Sequence, residues 1–444
     1  MVHSNSPSVV TVHLESPASR FLFLLPALLA IFACWFVVRW YVGNTVAEYA
    51  SGNEEGAIDM ALLAEKWAPS DPFTHWRVGA IEEQVFTANN LADAVHEYQL
   101  AVTLSPYDYR YWIELAGGLE AAGDQPGSEK ALRRAIELAP AYAQPRWFLG
   151  NVLLRQGKVE EAFTHLVTAA LADGQMRSQV LNLAWEVFGG DVDTIARVAC
   201  PSADLRAQFA LYLVTKSRFA DAMRTWSSLN VNNRKAQGDL GNELKQSLLN
   251  AKQFNAALQV MRDIEPDAAD WPVAEQFWNG GFEQHMTLGS EISFHWVITS
   301  RPRAQIGVDQ EQPHGGRDSL RIVFAAPSKL NSIPVSQTVA VQPNSQYRFE
   351  CYVRTRTLIS GSTPQIVILD AADNSTLAQS PSLPTGTNDW QRISVDFKTK
   401  PKSDGVTVAM YRAPCGEAEV CPIFGTVWYD DFNLQRIGGS GSSR

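Results

Sequence analysis

The chain has 444 residues, 45% hydrophobic and 19% charged, with 29 glycines, 23 prolines and a formal net charge of −10. That composition excludes collagen-like, coiled-coil and low-complexity polymers, and an acidic balance without any clustered basic tract excludes nucleic-acid binding through phosphate neutralisation. At about 100–200 residues per domain, the length predicts two or three domains, each able to bury its own core without metals or dense cross-links.

Behind an N-terminal tail, residues 1–20, Phe21 to Val38 form an uncharged run between Arg20 and Arg39, followed by Trp40 and Tyr41. Such a stretch reaches the lower edge of what spans a bilayer, and the Trp-Tyr pair suits the interfacial belt. Proline, here Pro26, is tolerated in lipid. A cleaved signal peptide is the alternative, but the run exceeds the usual apolar core of about 7–15 residues and no small-x-small site follows closely. Residues 21–42 are therefore expected to be an uncleaved transmembrane anchor. Arg20 and Arg39 balance, so the positive-inside rule has little to count. The short tail and the cysteine pattern favour an extracytoplasmic body.

From residue 45 to 268 the sequence repeats. Ala101, Ala135 and Ala169 lie 34 apart, as do Ala94, Ser128, Ala162 and Ala196, and the step recurs in Leu115 and Leu149, Gly123 and Gly157, Pro106 and Pro140. Small residues such as Gly150 and Ala162 let paired helices approach, Leu149 and Leu153 share a face, and Pro140 stops a helix. On Trp112, Leu115, Gly123, Leu132, Ala135 and Pro140, and on Leu149, Gly150, Gly157, Ala162 and Ala169, the segment resembles tetratricopeptide (TPR) repeats, whose period this is. The pattern fades at both ends: Pro69 to Pro106 spans 37 residues, Trp76 leaves the frame, and Ala196 to Ala222 is only 26, which predicts one shortened unit among roughly six helix pairs. Residues 45–269 carry 29 acidic and 20 basic side chains. An acidic groove would favour a basic partner, whereas solvated outer faces would give the same count. Tyr111, Trp112 and Trp147 are expected in the repeat core.

After Trp271-Pro272 the periodicity becomes alternating. Runs such as SLRIVFAA, IPVSQTVAV, QYRFECYVRTRTL, PQIVILDA, WQRISVDFKT, GVTVAMYRA and GTVWYDDFNLQRI, separated by turn formers including Pro343-Asn344 and Asp404-Gly405, predict an antiparallel sandwich or barrel over residues 276–437. Alternation puts Tyr347, Phe349, Cys351 and Val353 on one face, and Arg348, Glu350, Tyr352 and Arg354 on the other.

Asn279-Gly280-Gly281-Phe282-Glu283, the segment from His314 to Ile322, Asp389-Trp390-Gln391 and the closing Trp428-Tyr429-Asp430-Asp431-Phe432-Asn433-Leu434 resemble carbohydrate-binding modules of the family 4/9 type. The resemblance implies a β-jelly roll with neighbouring first and last strands, sugar polymers held by aromatic residues, and Trp390 packed in the core. It further implies a structural Ca²⁺ near Glu283 and Asp431, with ordinary turn carboxylates as the alternative reading. Trp296, Tyr352, Tyr411 and Trp428 are the candidate sugar platforms. A spacer or protein-docking role remains equally compatible with the fold.

Of five cysteines, Cys415 and Cys421 flank a short loop and suit a disulfide in an oxidising compartment, while Cys34, Cys200 and Cys351 read as buried small hydrophobes. No P-loop, HExxH, GxSxG or dinucleotide fingerprint occurs. Asp430 and Asp431 would point to opposite faces of a strand, which makes them a poor acid/base pair. The sequence thus predicts a non-enzymatic single-pass scaffold of the bacterial inner membrane with a periplasmic body. Its repeats would hold a protein partner and its jelly roll a polysaccharide being assembled or exported. A purely protein-interacting assembly factor and a glycan-processing enzyme stay open. The terminal residues 438–444 are flexible by composition.

Overall fold

The computed structural model describes residues 17–50, 56–266, 271–286, 292–298, 304–328, 332–413, 415 and 421–437. Most of the N-terminal tail and the segment 438–444 lie outside these residues. The chain divides into two compact units, Met1–Gly190 and Asp191–Arg444.

The first unit is helical: α1 (Pro17–Tyr49), α2 (Ala57–Trp67), α3 (Pro72–Val85), α4 (Ala88–Leu104), α5 (Tyr109–Ala121), α6 (Gln125–Leu138), α7 (Ala143–Arg155), α8 (Val159–Ala172), a 3-10 turn at Gly174–Met176 and α9 (Arg177–Val187). Side-chain caps fix several starts, with Asp71, Thr87, Asp108 and Asp124 accepting from the backbone N–H of Phe73, Asn90, Arg110 and Gly127. Gly123 and Gly157 adopt positive φ where α5 and α7 end. Helices pair through glycine and alanine. A Cβ at Gly150 would stand 2.5 Å from Leu166, and the Tyr98 ring lies between Gly79 and Gly118, leaving no room for a Cβ on either.

Helix α1 carries both the apolar run and the start of the repeat segment. Its N-terminal part is exposed and apolar, long enough to cross a membrane, with Leu24, Phe32, Trp35 and Trp40 all more than half exposed. Past Val38 the same helix packs: Arg39 donates to the carbonyls of Trp67 and Lys66, Asn44 donates to Asp71 at 2.8 Å, and Gly43 abuts Ala68.

The second unit opens with α10 (Val192–Val198), α11 (Ala203–Thr215), α12 (Phe219–Ser227), α13 (Val231–Ala236), α14 (Gly238–Asn250) and α15 (Phe254–Ile264). The seven-residue α10 is the shortened helix that the 26-residue spacing anticipates. Strands follow: β1 (Val297–Ile298), β2 (Ala304–Asp309), β3 (Ser319–Ser328), β4 (Ser332–Ala340), β5 (Gln346–Ser360), β6 (Pro364–Asp370), β7 (Thr376–Gln379), β8 (Gly386–Lys398), β9 (Gly405–Arg412) and β10 (Cys421–Arg436). They form two antiparallel five-stranded sheets in the orders β1-β4-β9-β6-β7 and β2-β3-β10-β5-β8. The core between them includes Ile322, Phe349, Cys351, Ile366, Val408 and Tyr429, and Tyr347 and Val353 join it as alternation predicts.

Two expectations are corrected. Among the described residues, β1 pairs with β4 rather than with the last strand. The opening motif nonetheless reaches that strand through irregular backbone, where Phe432 N–H donates to the Gly280 carbonyl at 2.9 Å. Trp390 lies outside the core and meets His314 edge-on.

The helices and the sandwich of this unit are joined by a cap. Asp404, in the turn before β9, accepts from the backbone N–H of Phe254 at 3.0 Å and of Asn255 at 2.9 Å, the first two residues of α15. Asn255 in turn donates to the Val341 carbonyl, and Phe254 packs so closely on Gly405 that a Cβ there would overlap its ring.

Candidate functional site

In the first unit a groove is lined by Glu83 of α3, by Ile113, Glu114, Gly117 and Glu120 of α5, and by Phe148 of α7. Its lining mixes apolar side chains, with Ile113 and Leu132 buried and Phe148 exposed, with the polar Ser128 and Gln144. The three glutamates are not equivalent. Glu120 pairs with Arg155. Glu83 accepts only the Tyr98 hydroxyl at 2.8 Å, and Glu114 takes the Trp76 indole N–H. Burial raises the Glu114 carboxyl, the Trp76 bond opposes that shift and the Glu83 charge adds to it. Among the described residues neither Glu83 nor Glu114 has a cationic partner. Tyr111 and Trp112 pack half-buried against the repeat core, and the Trp112 N–H donates to the Pro106 carbonyl. Trp147 is half-buried.

One metal-capable group occurs among the described residues: Glu65 of α2, His75 of α3 and Glu97 of α4. His75 is buried, with Nδ1 at 2.7 Å from Glu97 and Nε2 at 2.9 Å from the Pro69 carbonyl. Burial alone would lower its pKa, but the Glu97 hydrogen bond, the Pro69 carbonyl and the charges of Glu97 and Glu65 outweigh it, and the net shift is upward. Both ring nitrogens are engaged, so the group reads as an imidazolium held by carboxylates. Spacing in the sequence gives no sign of this cluster, because its members come from three helices.

In the sandwich, the four aromatic candidates separate. Trp296 is a core residue, 3% exposed, packed against Phe277, Phe282 and Phe432 with its N–H on the Asn279 carbonyl. It offers no sugar platform. Trp428 sits on the outer face of the β10 sheet but is only 1% exposed, its N–H on Asp309 and the Arg356 guanidinium over its ring at 5.0 Å. Direct stacking on it is therefore blocked. Tyr352, on the same face, is covered by the stacked His314 ring at 3.7 Å. Tyr411 lies on the outer face of the other sheet, opposite Gln365, and is 37% exposed. Alternation could not separate inner from outer faces for Trp296, which precedes the first strand, nor foresee that arginines cover Trp428.

Glu283 and Asp431 flank one loop. Glu283 accepts from the backbone N–H of Arg317 at 2.7 Å and of Asp318 at 3.0 Å, which lowers its pKa. Asp431 contacts His314 Nδ1 at 2.6 Å, and Asp430 accepts from the N–H of His314 and Gly315. A Cβ at Gly315 or Gly316 would strike these carboxylates. Glu283 Oε1 takes both amides and Asp431 Oδ2 the imidazole, so among the described residues Glu283 Oε2 and Asp431 Oδ1 accept no hydrogen bond and would be the oxygens left to ligate a cation. The acids clamp the His314–Asp318 loop.

Cys415 and Cys421 are joined, Cα to Cα 5.4 Å. Beside them the buried Arg412 donates to Ser362, Ser360 and the Cys421 carbonyl. Cys200 and Cys351 are buried, and burial pushes the Cys200 thiol up to about 12. Cys34, expected to be buried, is exposed on α1.

The fold thus defines a chain with one long apolar N-terminal helix, helical-repeat hairpins and a terminal antiparallel sandwich. No family model matches it. The TPR repeat-containing thioredoxin TTL4 of Arabidopsis thaliana is 30% identical over 97 residues, covering 22% of this chain and 14% of that protein, so the chain spans a small part of the relative it matches. Among solved structures, MamA protein aligns at 16% identity over 43% of this chain and 91% of MamA with a TM-score of 0.31. A family 4 carbohydrate-binding module aligns at 14% identity over 36% of this chain and 99% of the module, TM-score 0.28.

Proposed function

We propose that this protein is a membrane-anchored, non-catalytic adaptor of the bacterial cell envelope. Its helical repeats hold a basic segment of a protein partner, and its sandwich holds a polysaccharide during assembly or export. The observation that carries the reading is the groove around Glu83 and Glu114, two carboxylates that lack a cationic partner among the described residues. A lysine or arginine on a partner would supply what the fold leaves out, at a point where half-burial strengthens the attraction. An uncleaved anchor is supported by the packing of Arg39, Gly43 and Asn44 onto α2 and α3, since removing α1 would strip that surface bare. The disulfide supports a periplasmic body.

The test uses the full chain in detergent against an array of basic peptides and a glycan array. Peptide capture that falls about tenfold or more in the Glu83→Gln/Glu114→Gln variant, the loss of two charge-assisted contacts, supports the protein half. Capture indifferent to both substitutions overturns the groove assignment. The burial of Trp296 and Trp428 favours a second reading, a purely protein-interacting assembly factor. Silence of the intact protein across the glycan array would establish that one.

A further inference from the structure

The outer face of the β2-β3-β10-β5-β8 sheet carries arginines in register. Arg321 of β3 and Arg354 of β5 stand on either side of Trp428 in one cross-strand row. Arg356 opposes Thr426 in the row on one side of this, and Arg392 of β8 opposes Tyr352 in the row on the other side. Neighbouring strands are about 4.8 Å apart and same-face residues on one strand about 6.8 Å, so Arg321, Arg354 and Arg356 gather around Trp428, with Arg392 one row and one strand from Arg354.

Their donors are largely unused. Arg348, at the end of the same face, makes a two-pronged pair with Asp396 at 2.7 and 2.8 Å. Arg321, Arg354 and Arg392 approach Asp309, Asp389 and Glu350 only at 3.8, 3.5 and 3.5 Å. Asp309 is already taken by the Trp428 N–H, and Asp389 is 86% exposed at the margin. Arg356, exposed, has no carboxylate partner among the described residues and rests on the Trp428 ring. The opposite sheet is different: its outer face presents Ser336, Thr338, Thr407, Ala409, Tyr411 and Gln365, all uncharged.

We propose that this arginine face binds an acidic polysaccharide, one bearing carboxylates along its length, and that this is the ligand class of the sandwich. The inference rests on the glycan-binding reading above and gives it a surface and a chemistry. A guanidinium is a planar fork matched to a carboxylate, and four such forks across adjacent strands match a polymer repeating that group, whereas neutral sugars leave the donors unmet. Trp428 serves as the platform on which Arg356 is held, so it acts through the arginine and does not stack on sugar.

The experiment measures binding of the full chain in detergent to polygalacturonate, to carboxyl-reduced polygalacturonate, to neutral xylan and to vesicles of phosphatidylglycerol. Polygalacturonate should bind and weaken as salt rises. It should lose about tenfold or more in the Arg354→Gln/Arg356→Gln variant, while Thr407→Ala on the opposite sheet leaves affinity unchanged. Unchanged far-ultraviolet circular dichroism and thermal midpoint separate this loss from misfolding. Binding to neutral or carboxyl-reduced polymer alone overturns the acidic class but keeps the glycan reading. Binding to vesicles but to no polymer makes the face a lipid-headgroup surface and overturns the proposal. Absence of all binding removes both the proposal and the glycan reading beneath it.

Discussion

His75 shows how one buried side chain ties together three helices. With Nδ1 on Glu97, Nε2 on the Pro69 carbonyl and its native pKa raised, the imidazole contributes stability in its charged form. A raised native value means the contribution is complete below the unfolded pKa of about 6.5 and fades as pH climbs through the native value. His75→Gln should therefore cost about 1–3 kcal/mol near pH 6, the usual penalty for stranding a buried acceptor. Urea unfolding at a series of pH values should show the gap to wild type narrowing as pH rises above the unfolded value through the raised native one, and a gap constant with pH would mean that the imidazole acts uncharged. Glu283 makes a different prediction. If it clamps the His314–Asp318 loop through two amide bonds, Glu283→Ala should lose about 1–2 kcal/mol, with or without chelator present. A calcium-dependent loss would assign Glu283 to a cation site.

At the scale of elements, the Asp404 cap gives the junction of helices and sandwich a single chemical handle. Its two oxygens serve the first amides of α15, so Asp404→Ala should cost about 1 kcal/mol from the lost cap. Differential scanning calorimetry should then resolve the one transition of residues 191–444 into two as the helices melt ahead of the strands, and a single shifted transition would show that Phe254 and Gly405 suffice. Nothing in the sequence points to this role, because Asp404-Gly405 carries the signature of a turn and the capped helix lies 149 residues away. The strands from β3 onward were legible wherever the strand pattern ran over seven or more residues, as in QYRFECYVRTRTL. The short β1, β2 and β7 were not, since two to six residues carry too little periodic signal to separate from loop. The repeat spacing likewise exposed the hairpins and the shortened α10, because close helix packing forces small residues to recur at fixed intervals. The surfaces were harder to read. Burial of Trp296 and Trp428, and the gathering of Glu83 with Glu114, depend on pairings between distant segments that no local pattern encodes.

For the molecule as a whole, the consequential feature is that the long apolar N-terminal stretch and the first packed helix of the repeats are one continuous α1. A flexible linker would uncouple the apolar stretch from the body, whereas a shared helix transmits the orientation of that stretch to the first hairpins. The joint depends on Gly43, whose missing Cβ leaves room for Ala68 and the Ala64 carbonyl, a contact that would close to 2.6 Å and 2.9 Å with any larger residue. Arg39 and Asn44 hold the same interface by hydrogen bonds to α2 and to the Asp71 that caps α3. Gly43→Val should force α1 away and cost about 1–3 kcal/mol of overpacking, whereas Ala33→Val on the exposed apolar half should change almost nothing. Unfolding of both variants in detergent micelles gives the comparison, and hydrogen exchange through residues 57–81 locates the change. Faster exchange there in Gly43→Val alone would show that the anchor braces the repeats. Equal exchange in the two variants would mean that α1 stays attached to the first hairpins without stiffening them.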